Sequence, residues 1–176
     1  MIIEDLDKSN LKLIKNQDIV IIGAGTIGLY LASRLYEENS NLKILLIEYG
    51  DEQPNFSKIS SSAESIGKKH IGTLEGRACG IGGTSALWGG QLAEFDEEDF
   101  RQWPIKYSDI KKYYNKVYSK LKIGNILSDK EYDSFLNGCI KNEFEIEHLY
   151  TRWLKEPNFY KFFERIIHKN INIIKN

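Results

Sequence analysis

The chain has 176 residues, enough to bury one hydrophobic core but not two large ones. Its 24 lysines and arginines nearly balance its 25 aspartates and glutamates, so bulk charge gives no reason to expect a nucleic acid or an anionic membrane as a partner. Two cysteines, Cys79 and Cys139, stand far apart in no disulfide-framework or metal-binding spacing, and they predict a reducing compartment.

The N-terminal segment and the hydropathy of the chain predict a cytoplasmic protein. Glu4, Asp5 and Asp7 do not fit the basic start and apolar middle of a signal peptide. The longest apolar run, near Ile19–Ile22, is far shorter than the roughly 20 residues of a membrane-spanning helix. We therefore expect no membrane partner, and we expect residues 1–17 to form an N-terminal extension.

Residues 18–48 predict a strand, a helix and a second, parallel strand. Residues 18–22 form a β-branched apolar run that stops at a glycine, as a strand buried on both faces does. Residues 42–47 form a second such run. The helix between them is predicted from apolar positions at helical spacing and a small residue that lets the helix lie close to a sheet: Ile27, Leu31, Leu35 and Ala32. The fold class is therefore α/β, with a Rossmann-like βαβ unit.

The rest of the chain predicts a polar loop, a glycine-dense stretch, two helices and a last strand. Residues 49–71 lack any periodicity that would bury a face. Seven of the fourteen glycines fall between residues 72 and 90, a density that excludes a regular helix. Ser108 is predicted to cap a helix whose apolar face consists of Ile110, Tyr114, Val117 and Leu121. A second helix follows Pro157, and a strand begins near Ile171.

The junction between the first strand and the first helix carries the pattern G-x-G-x-x-G at Gly23, Gly25 and Gly28. In such a site the first glycine permits a tight turn, the second lets the backbone approach a pyrophosphate, and the third lets helix and strand pack closely. Glu48 closes the second strand, where an acidic residue can accept hydrogen bonds from an adenosine ribose. The alternative is a plain tight turn with a solvated carboxylate. The motif alone leaves open whether NAD or FAD is bound.

A second glycine cluster, residues 76–90, reads G-R-A-C-G-I-G-G-T-S-A-L-W-G-G. With this cluster the chain resembles the glucose-methanol-choline family of FAD oxidoreductases, over about residues 18–114. Further residues that carry the resemblance are Glu48 with Gly50, Phe95, Phe100, and Trp103 with Pro104. The resemblance implies that the second cluster lies along the flavin and the pyrophosphate. Adjacent glycines also let main-chain amides converge on an anion, and hydroxyl groups add donors.

From the two motifs and the resemblance, we expect the following residues to bind the cofactor: Gly23, Gly25, Thr26, Ile27, Gly28, Glu48, Tyr49, Arg77, Gly82, Gly83, Thr84, Ser85 and Trp88. Trp88 has an equally good alternative as an ordinary core aromatic. Some relatives tether FAD covalently through a histidine of this loop. Leu87 aligns with that histidine here, so the resemblance implies noncovalent FAD.

The resemblance also implies that part of the enzyme is absent from these 176 residues. In the family, a histidine paired with a second histidine or an asparagine accepts the alcohol proton near the C-terminus of a much longer chain. Nothing here aligns with that pair, so no catalytic residue is predicted, and His70, His148 and His168 are expected to be structural or exposed. Residues 18–176 are predicted to be a truncated FAD-binding domain, with part of a helical or substrate-side insertion from about residue 105.

Truncation would leave the first strand with an unpaired apolar edge, which invites association. A companion chain that supplies the C-terminal half is therefore one expected partner, and an alcohol or sugar is the expected substrate of the full-length enzyme. Two alternatives stay open. One is a fragment of an NAD-dependent dehydrogenase, which leaves the second glycine cluster unexplained. The other is a noncatalytic interaction module or remnant.

Overall fold

The computed structural model describes residues 2–4, 14–55, 64, 66–68, 76–123, 134, 151–166 and 171–175. The chain divides into two compact units. The first comprises residues 1–90 and 155–176, and the second comprises residues 91–154. The predicted domain boundaries at residues 18 and 105 stay predictions.

The first unit is built on a parallel four-stranded sheet. The strands are β1 (Ile2–Glu4), β2 (Ile19–Ile22), β3 (Ile44–Ile47) and β6 (Ile171–Lys175), in the order β1-β6-β3-β2. All three strand pairs are parallel. This arrangement confirms the predicted α/β class with a parallel, Rossmann-like sheet. Strand β1 comes from the segment that the sequence predicts to be an extension, and it pairs with β6.

The core of this unit lies along β3 and β6. Ile44, Leu45 and Leu46 are completely buried, and the isoleucines of β6 are at most 1% exposed. Consecutive residues of a strand point to opposite faces of the sheet, so both faces are covered at these two central strands. The β-branched and leucine-rich runs in the sequence are the cause of this burial.

Helix α1 (Thr26–Glu38) connects β2 to β3, as predicted, but its buried face differs from the prediction. The buried residues are Leu29, Ala32 and Ser33, whereas Ile27 is 77% exposed and Leu31 is 44% exposed. Gly28 explains the rotation, because a Cβ at Gly28 would lie 1.9 Å from the carbonyl oxygen of Gly23 at the end of β2, so only a residue without a side chain fits there. The small residues at positions 28 and 32 set the closest approach to the sheet and turn the larger apolar side chains of 27 and 31 outward.

Strand β2 is the edge strand of this sheet within the described residues, which confirms the expected exposed edge there. Val20 is 42% exposed and Ile22 is 88% exposed, although both are apolar. Ile21 faces α1, so its neighbours Val20 and Ile22 point to the opposite face of the sheet. Within the described residues, that face of β2 is therefore partly exposed at Val20 and almost fully exposed at Ile22.

The second unit contains a short antiparallel pair and one long helix. Strands β4 (Gln91–Ala93) and β5 (Thr151–Trp153) pair with Leu92 opposite Arg152. Helix α2 (Tyr107–Leu121) buries Tyr118 and Leu121 and half-buries the other predicted face residues. The predicted cap at Ser108 is wrong: Lys106 is the N-cap residue, and its main-chain N–H donates to Oδ2 of Asp109 at 3.1 Å. A carboxylate at the third helical position thus provides the capping bond instead of the serine hydroxyl.

An aromatic cluster precedes α2 in this second unit. Phe100 is buried, and its ring lies 5.0 Å from that of Trp103, 5.8 Å from that of Phe95 and 5.9 Å from that of Tyr107.

None of the helices in the described ranges combines the length and the hydropathy that a membrane span requires.

Candidate functional site

The first glycine loop connects the end of β2 to the start of α1. The main-chain N–H of Gly23 donates to the carbonyl of Ile47 on the neighbouring strand at 2.7 Å. A Cβ at Gly28 would lie 1.9 Å from the carbonyl oxygen of Gly23, which no real side chain could do. The loop can therefore close this tightly only because residue 28 has no side chain.

The start of α1 is open to an anion. Gly25 is the N-cap residue, so no capping side chain lies at its position, and the first turn contains no acidic residue. The amides at a helix N-terminus carry partial positive charge and bind phosphate groups when they are not capped. A Cβ at Gly25 would meet no atom closer than 4.0 Å, so main chain is presented there without obstruction. This cradle fits the diphosphate of a dinucleotide.

The second glycine loop is held in a conformation that favours glycine. Gly82 and Gly83 have φ values of 94° and 55°, in the left-handed region. A short 3₁₀ helix, Gly83–Ala86, follows. Its Ser85 is buried, and the Ser85 hydroxyl donates to the carbonyl of Gly82 at 2.6 Å. The loop thus folds back on itself through a side-chain hydrogen bond.

The two glycine loops meet, although Gly25 and Gly83 lie 58 positions apart along the chain. The main-chain N–H of Gly82 donates to the carbonyl of Ala24 at 2.8 Å. A Cβ at Gly83 would lie 3.1 Å from Cα of Gly25, so the two loops are in contact through bare main chain. The fold therefore brings together the two motifs that the sequence singles out.

Glu48 lies beside both loops, with its side chain buried and 8% of its surface exposed. Its Oε2 accepts a hydrogen bond from the N–H of Ala24 at 2.8 Å. Its Oε1 accepts from the N–H of Gly50 at 2.8 Å and from the N–H of Gly80 at 3.1 Å. The alternative of a solvated strand-end carboxylate is wrong, because this group is buried and hydrogen-bonded. Its predicted contact with a ribose stays a prediction.

Trp88 packs within the protein. Its indole N–H donates to the carbonyl of Pro157 at 2.7 Å, and its ring lies 6.2 Å from the ring of Phe159. The N–H of Phe159 donates in turn to the Ser85 hydroxyl at 3.2 Å. These contacts favour the interpretation of Trp88 as a core aromatic.

The segment that enters helix α3 (Phe159–Phe163) supports the second glycine loop, and sequence reasoning missed it. Oδ1 of Asn158 accepts from the N–H groups of Tyr160 and Lys161 at the start of the helix. The same oxygen would lie 2.9 Å from a Cβ at Gly82. Burial raises the pKa of the Tyr160 hydroxyl, and the charges of Glu164 and Glu52 add to the shift. The available signal was Pro157 followed by an N-capping asparagine, which marks a helix start but not its contact.

The remaining predicted residues lie at or near the surface. Arg77 and Thr84 are exposed, and the Thr84 hydroxyl accepts from the N–H of Ala78 at 3.3 Å. Tyr49 is 56% exposed and Ile27 is 77% exposed, while Thr26 is half-buried. Of the predicted set, the structure therefore brings Gly25, Glu48, Gly82, Gly83 and Ser85 close to one another, directly or through Ala24 and Gly80.

Comparisons with known proteins find similarity over part of the chain. The dehydrogenase Str4 of Strobilurus tenacellus is 29% identical over 126 residues, which cover 58% of this chain and 20% of that protein. Pyridoxine 4-oxidase from Mesorbium loti is similar in structure, with 31% identity, a TM-score of 0.34, and coverage of 50% of this chain and 20% of the oxidase. A fungal aryl-alcohol oxidase has 25% identity and a TM-score of 0.33, over 48% of this chain and 17% of the oxidase. The chain spans about a fifth of the length of the dehydrogenase.

A family model described as lycopene cyclase protein matches residues 18–111, which is over half of the chain. The matched range starts at the residue before β2 and includes α1, β3 and both glycine loops. The match thus covers the Rossmann-like βαβ unit and the glycine loop that packs on it. The chain therefore belongs to the lycopene cyclase protein family.

Proposed function

We propose that this chain is the FAD-binding portion of a flavin oxidoreductase that acts on CH–OH donors such as a sugar or another alcohol. The observation that carries the proposal is the main-chain contact between Gly25 and Gly83. Similarity to a dehydrogenase, at low identity and coverage, supports an oxidoreductase-like domain. The narrower assignment to the glucose-methanol-choline family rests on the second glycine loop and belongs to this proposal.

The second loop favours FAD over NAD as the ligand. A βαβ unit with its first glycine loop is sufficient to hold the diphosphate of either dinucleotide. Here a second run of bare main chain, with left-handed glycines at 82 and 83, packs against the first loop, and the N–H of Gly82 donates to the carbonyl of Ala24. An NAD site does not require this second loop, whereas a larger flavin cofactor has further polar edges for it to contact.

In this proposal the amides at the start of α1 and the second glycine loop that packs beside them hold FAD. The attachment is noncovalent, with Leu87 where a tethering histidine would stand. Bound FAD would accept a hydride from the CH–OH carbon of the donor. The chain aligns no residue with the base that takes the hydroxyl proton, and general-base catalysis typically contributes about 10²- to 10⁴-fold. We therefore propose that these 176 residues bind the cofactor but turn over alcohols very slowly by themselves.

A second candidate function, strand addition to a companion chain, is favoured by the edge of β2. Val20 and Ile22 expose apolar side chains on one face of the sheet, and Ile27 and Leu31 expose them on the outer face of α1. A further parallel strand beside β2, with its own covering layer, would bury both of these sets of apolar side chains. We propose that a chain corresponding to the part of the dehydrogenase beyond the matched fifth supplies this strand.

Flavin binding is tested by titrating the chain into FAD and following the quenching of flavin fluorescence, with FMN and NAD as competitors. The proposal predicts saturable FAD binding that NAD does not displace at equal concentration. A Gly25→Ala chain should not bind, while Asn115→Ala, an exposed change in α2, should bind like the parent chain. Equal behaviour of the two variants, or displacement of FAD by equimolar NAD, would overturn the proposal.

A further inference from the structure

We propose that Glu48 is a positioning residue whose carboxylate holds the two glycine loops in register, and that dinucleotide binding depends on this positioning in addition to any contact with the ribose. The proposal rests on the proposed function, because it concerns the same site. Its first test needs no ligand.

The geometry links three separate main-chain segments to one carboxylate. Ala24 belongs to the first glycine loop, Gly50 to the turn after β3, and Gly80 to the second glycine loop. The donors are 24, 2 and 32 residues away from Glu48 along the chain. One side chain therefore connects both loops to the end of the central strand.

The environment makes these bonds effective. Ala24 is completely buried and Glu48 is nearly so, and a buried carboxylate is costly unless it is hydrogen-bonded. Hydrogen bonds from main-chain N–H groups to an ionised carboxylate are about twice as strong as neutral ones. The segments also pack main chain to main chain, because a Cβ at Gly50 would lie 2.3 Å from the carbonyl carbon of Cys79. No side chain separates the carboxylate from its donors.

The chemistry of the three bonds selects a carboxylate over an amide. An ionised carboxylate only accepts, and both of its oxygens are used here. A glutamine of nearly the same shape would direct an NH₂ group either at the N–H of Ala24 or at the N–H groups of Gly50 and Gly80. At least one loop would then lose its acceptor. Because Ala24 precedes Gly25 and Gly80 lies two residues before Gly82, either loss loosens the contact between the loops.

Amide hydrogen exchange of the ligand-free chain tests the inference first. We expect the N–H groups of Ala24, Gly50 and Gly80 to be protected in the parent chain, and at least one of them to exchange about tenfold faster or more in Glu48→Gln. The matched control is Glu52→Gln, an exposed carboxylate of the same turn, which should leave all three rates unchanged. Parental rates for all three amides in Glu48→Gln would overturn the proposal.

Should Glu48→Gln fail to fold, Glu48→Asp provides the same readout. The shorter carboxylate keeps its charge but cannot span both loops, so at least one of the three amides should lose protection while the main-chain amides of β3 keep theirs. Retained protection of all three would overturn the proposal.

Nucleotide binding then separates positioning from a ribose contact. The affinities of ADP and 2′,3′-dideoxy-ADP are measured calorimetrically for the parent chain and for a Glu48 variant, at a temperature at which both are folded. Positioning predicts that the variant weakens 2′,3′-dideoxy-ADP, which has no ribose hydroxyl for the carboxylate to contact, by about tenfold or more. A loss confined to ADP, or no loss for either, would overturn it. Absence of any ADP or FAD binding by the parent chain would contradict the proposed function, and the exchange measurement would still decide the role of Glu48.

Discussion

Gly83 lies against Gly25 so closely that a Cβ on residue 83 would be 3.1 Å from the Cα of residue 25. The hydrogen bond from the N–H of Gly82 to the carbonyl of Ala24 fixes this approach. As a result, the open start of α1 and the second glycine loop lie side by side in the first unit. A diphosphate and the ring attached to it need such a region of bare main chain.

Two glycines of the first loop should respond differently to alanine. We expect the fold to tolerate Gly25→Ala, because the Cβ would meet no atom closer than 4.0 Å and the φ of residue 25 is −79°. We expect it to lower the free energy of unfolding by about 1 kcal/mol or less and to abolish FAD binding, because the methyl group occupies the approach to the diphosphate. Urea unfolding and FAD titration on the same sample check both parts.

Gly28→Ala should have a structural effect instead. Its Cβ would lie 1.9 Å from the carbonyl oxygen of Gly23, and a main-chain atom cannot move aside as a flexible side chain does. We expect a loss of at least about 1 to 3 kcal/mol in unfolding free energy, the range for overpacking. A Gly28→Ala chain as stable as the parent would contradict the packing of α1 on β2 described above.

Trp88 offers a test of structural against cofactor contact. Trp88→Phe keeps an aromatic ring beside Phe159 but removes the N–H that donates to the carbonyl of Pro157. We expect the unfolding free energy to fall by about 0.5 to 1.5 kcal/mol. The FAD affinity should stay within about twofold, which corresponds to a change in binding free energy below about 0.6 kcal/mol. Loss of FAD affinity at unchanged stability would instead show that this ring touches the flavin.

Alkaline pH should destabilise the second unit through Tyr118. Burial raises the pKa of Tyr118 well above its usual value of 10.0, and a hydrogen bond with Glu94 and the charge of that carboxylate raise it further. The unfolded chain therefore releases the proton first, so the stabilisation is complete below about pH 10 and decreases as the pH rises above it. The pKa values of Tyr107 and Tyr114 are raised as well, chiefly by burial.

The measurement is urea unfolding at pH 9 and at pH 11. Tyr118→Phe should be less stable at pH 9, because it lacks the hydroxyl that bonds to Glu94, and it should lose less stability between the two pH values than the parent chain. Equal losses for the two chains would show that this tyrosine does not contribute to the alkaline transition.

The edge of β2 should make the isolated chain self-associate. Ile22 is 88% exposed on that strand, and a lysine at a sheet edge discourages strand addition. We expect Ile22→Lys to reduce the associated fraction in sedimentation experiments and to change the unfolding free energy by no more than about 0.5 kcal/mol. Ile66→Lys, a change at an isoleucine that is 92% exposed in a loop, is the matched control. Identical sedimentation of the two variants would contradict a role for this edge.

The sequence was sufficient to predict the parallel strands and the position of the glycine loops. Ile44, Leu45 and Leu46 belong to an uninterrupted apolar run, and such a run has few alternatives to a buried strand. The orientation of α1 could not be predicted from the sequence, because Ile27 and Leu31 are as apolar as the residues that are buried. The fit of Gly28 under a carbonyl decides the rotation, and this is a tertiary effect.

The partners of Glu48 were hidden for a similar reason. The position of the carboxylate at the end of β3 follows from the sequence, but its donors are main-chain N–H groups, which every residue except proline carries. Only the fold shows that Ala24, Gly50 and Gly80 supply them. In the same way, nothing local to Trp88 indicated that a carbonyl 69 residues later would accept its N–H.

In the proposed function, both glycine loops bind one ligand together. The most direct test follows the main-chain amide resonances of residues 24–28 and 82–85 while FAD is added to the full chain. We expect both groups of resonances to shift along the same binding curve, with one dissociation constant, and neither group to shift in Gly25→Ala. Shifts confined to residues 24–28, or separate dissociation constants for the two groups, would contradict it.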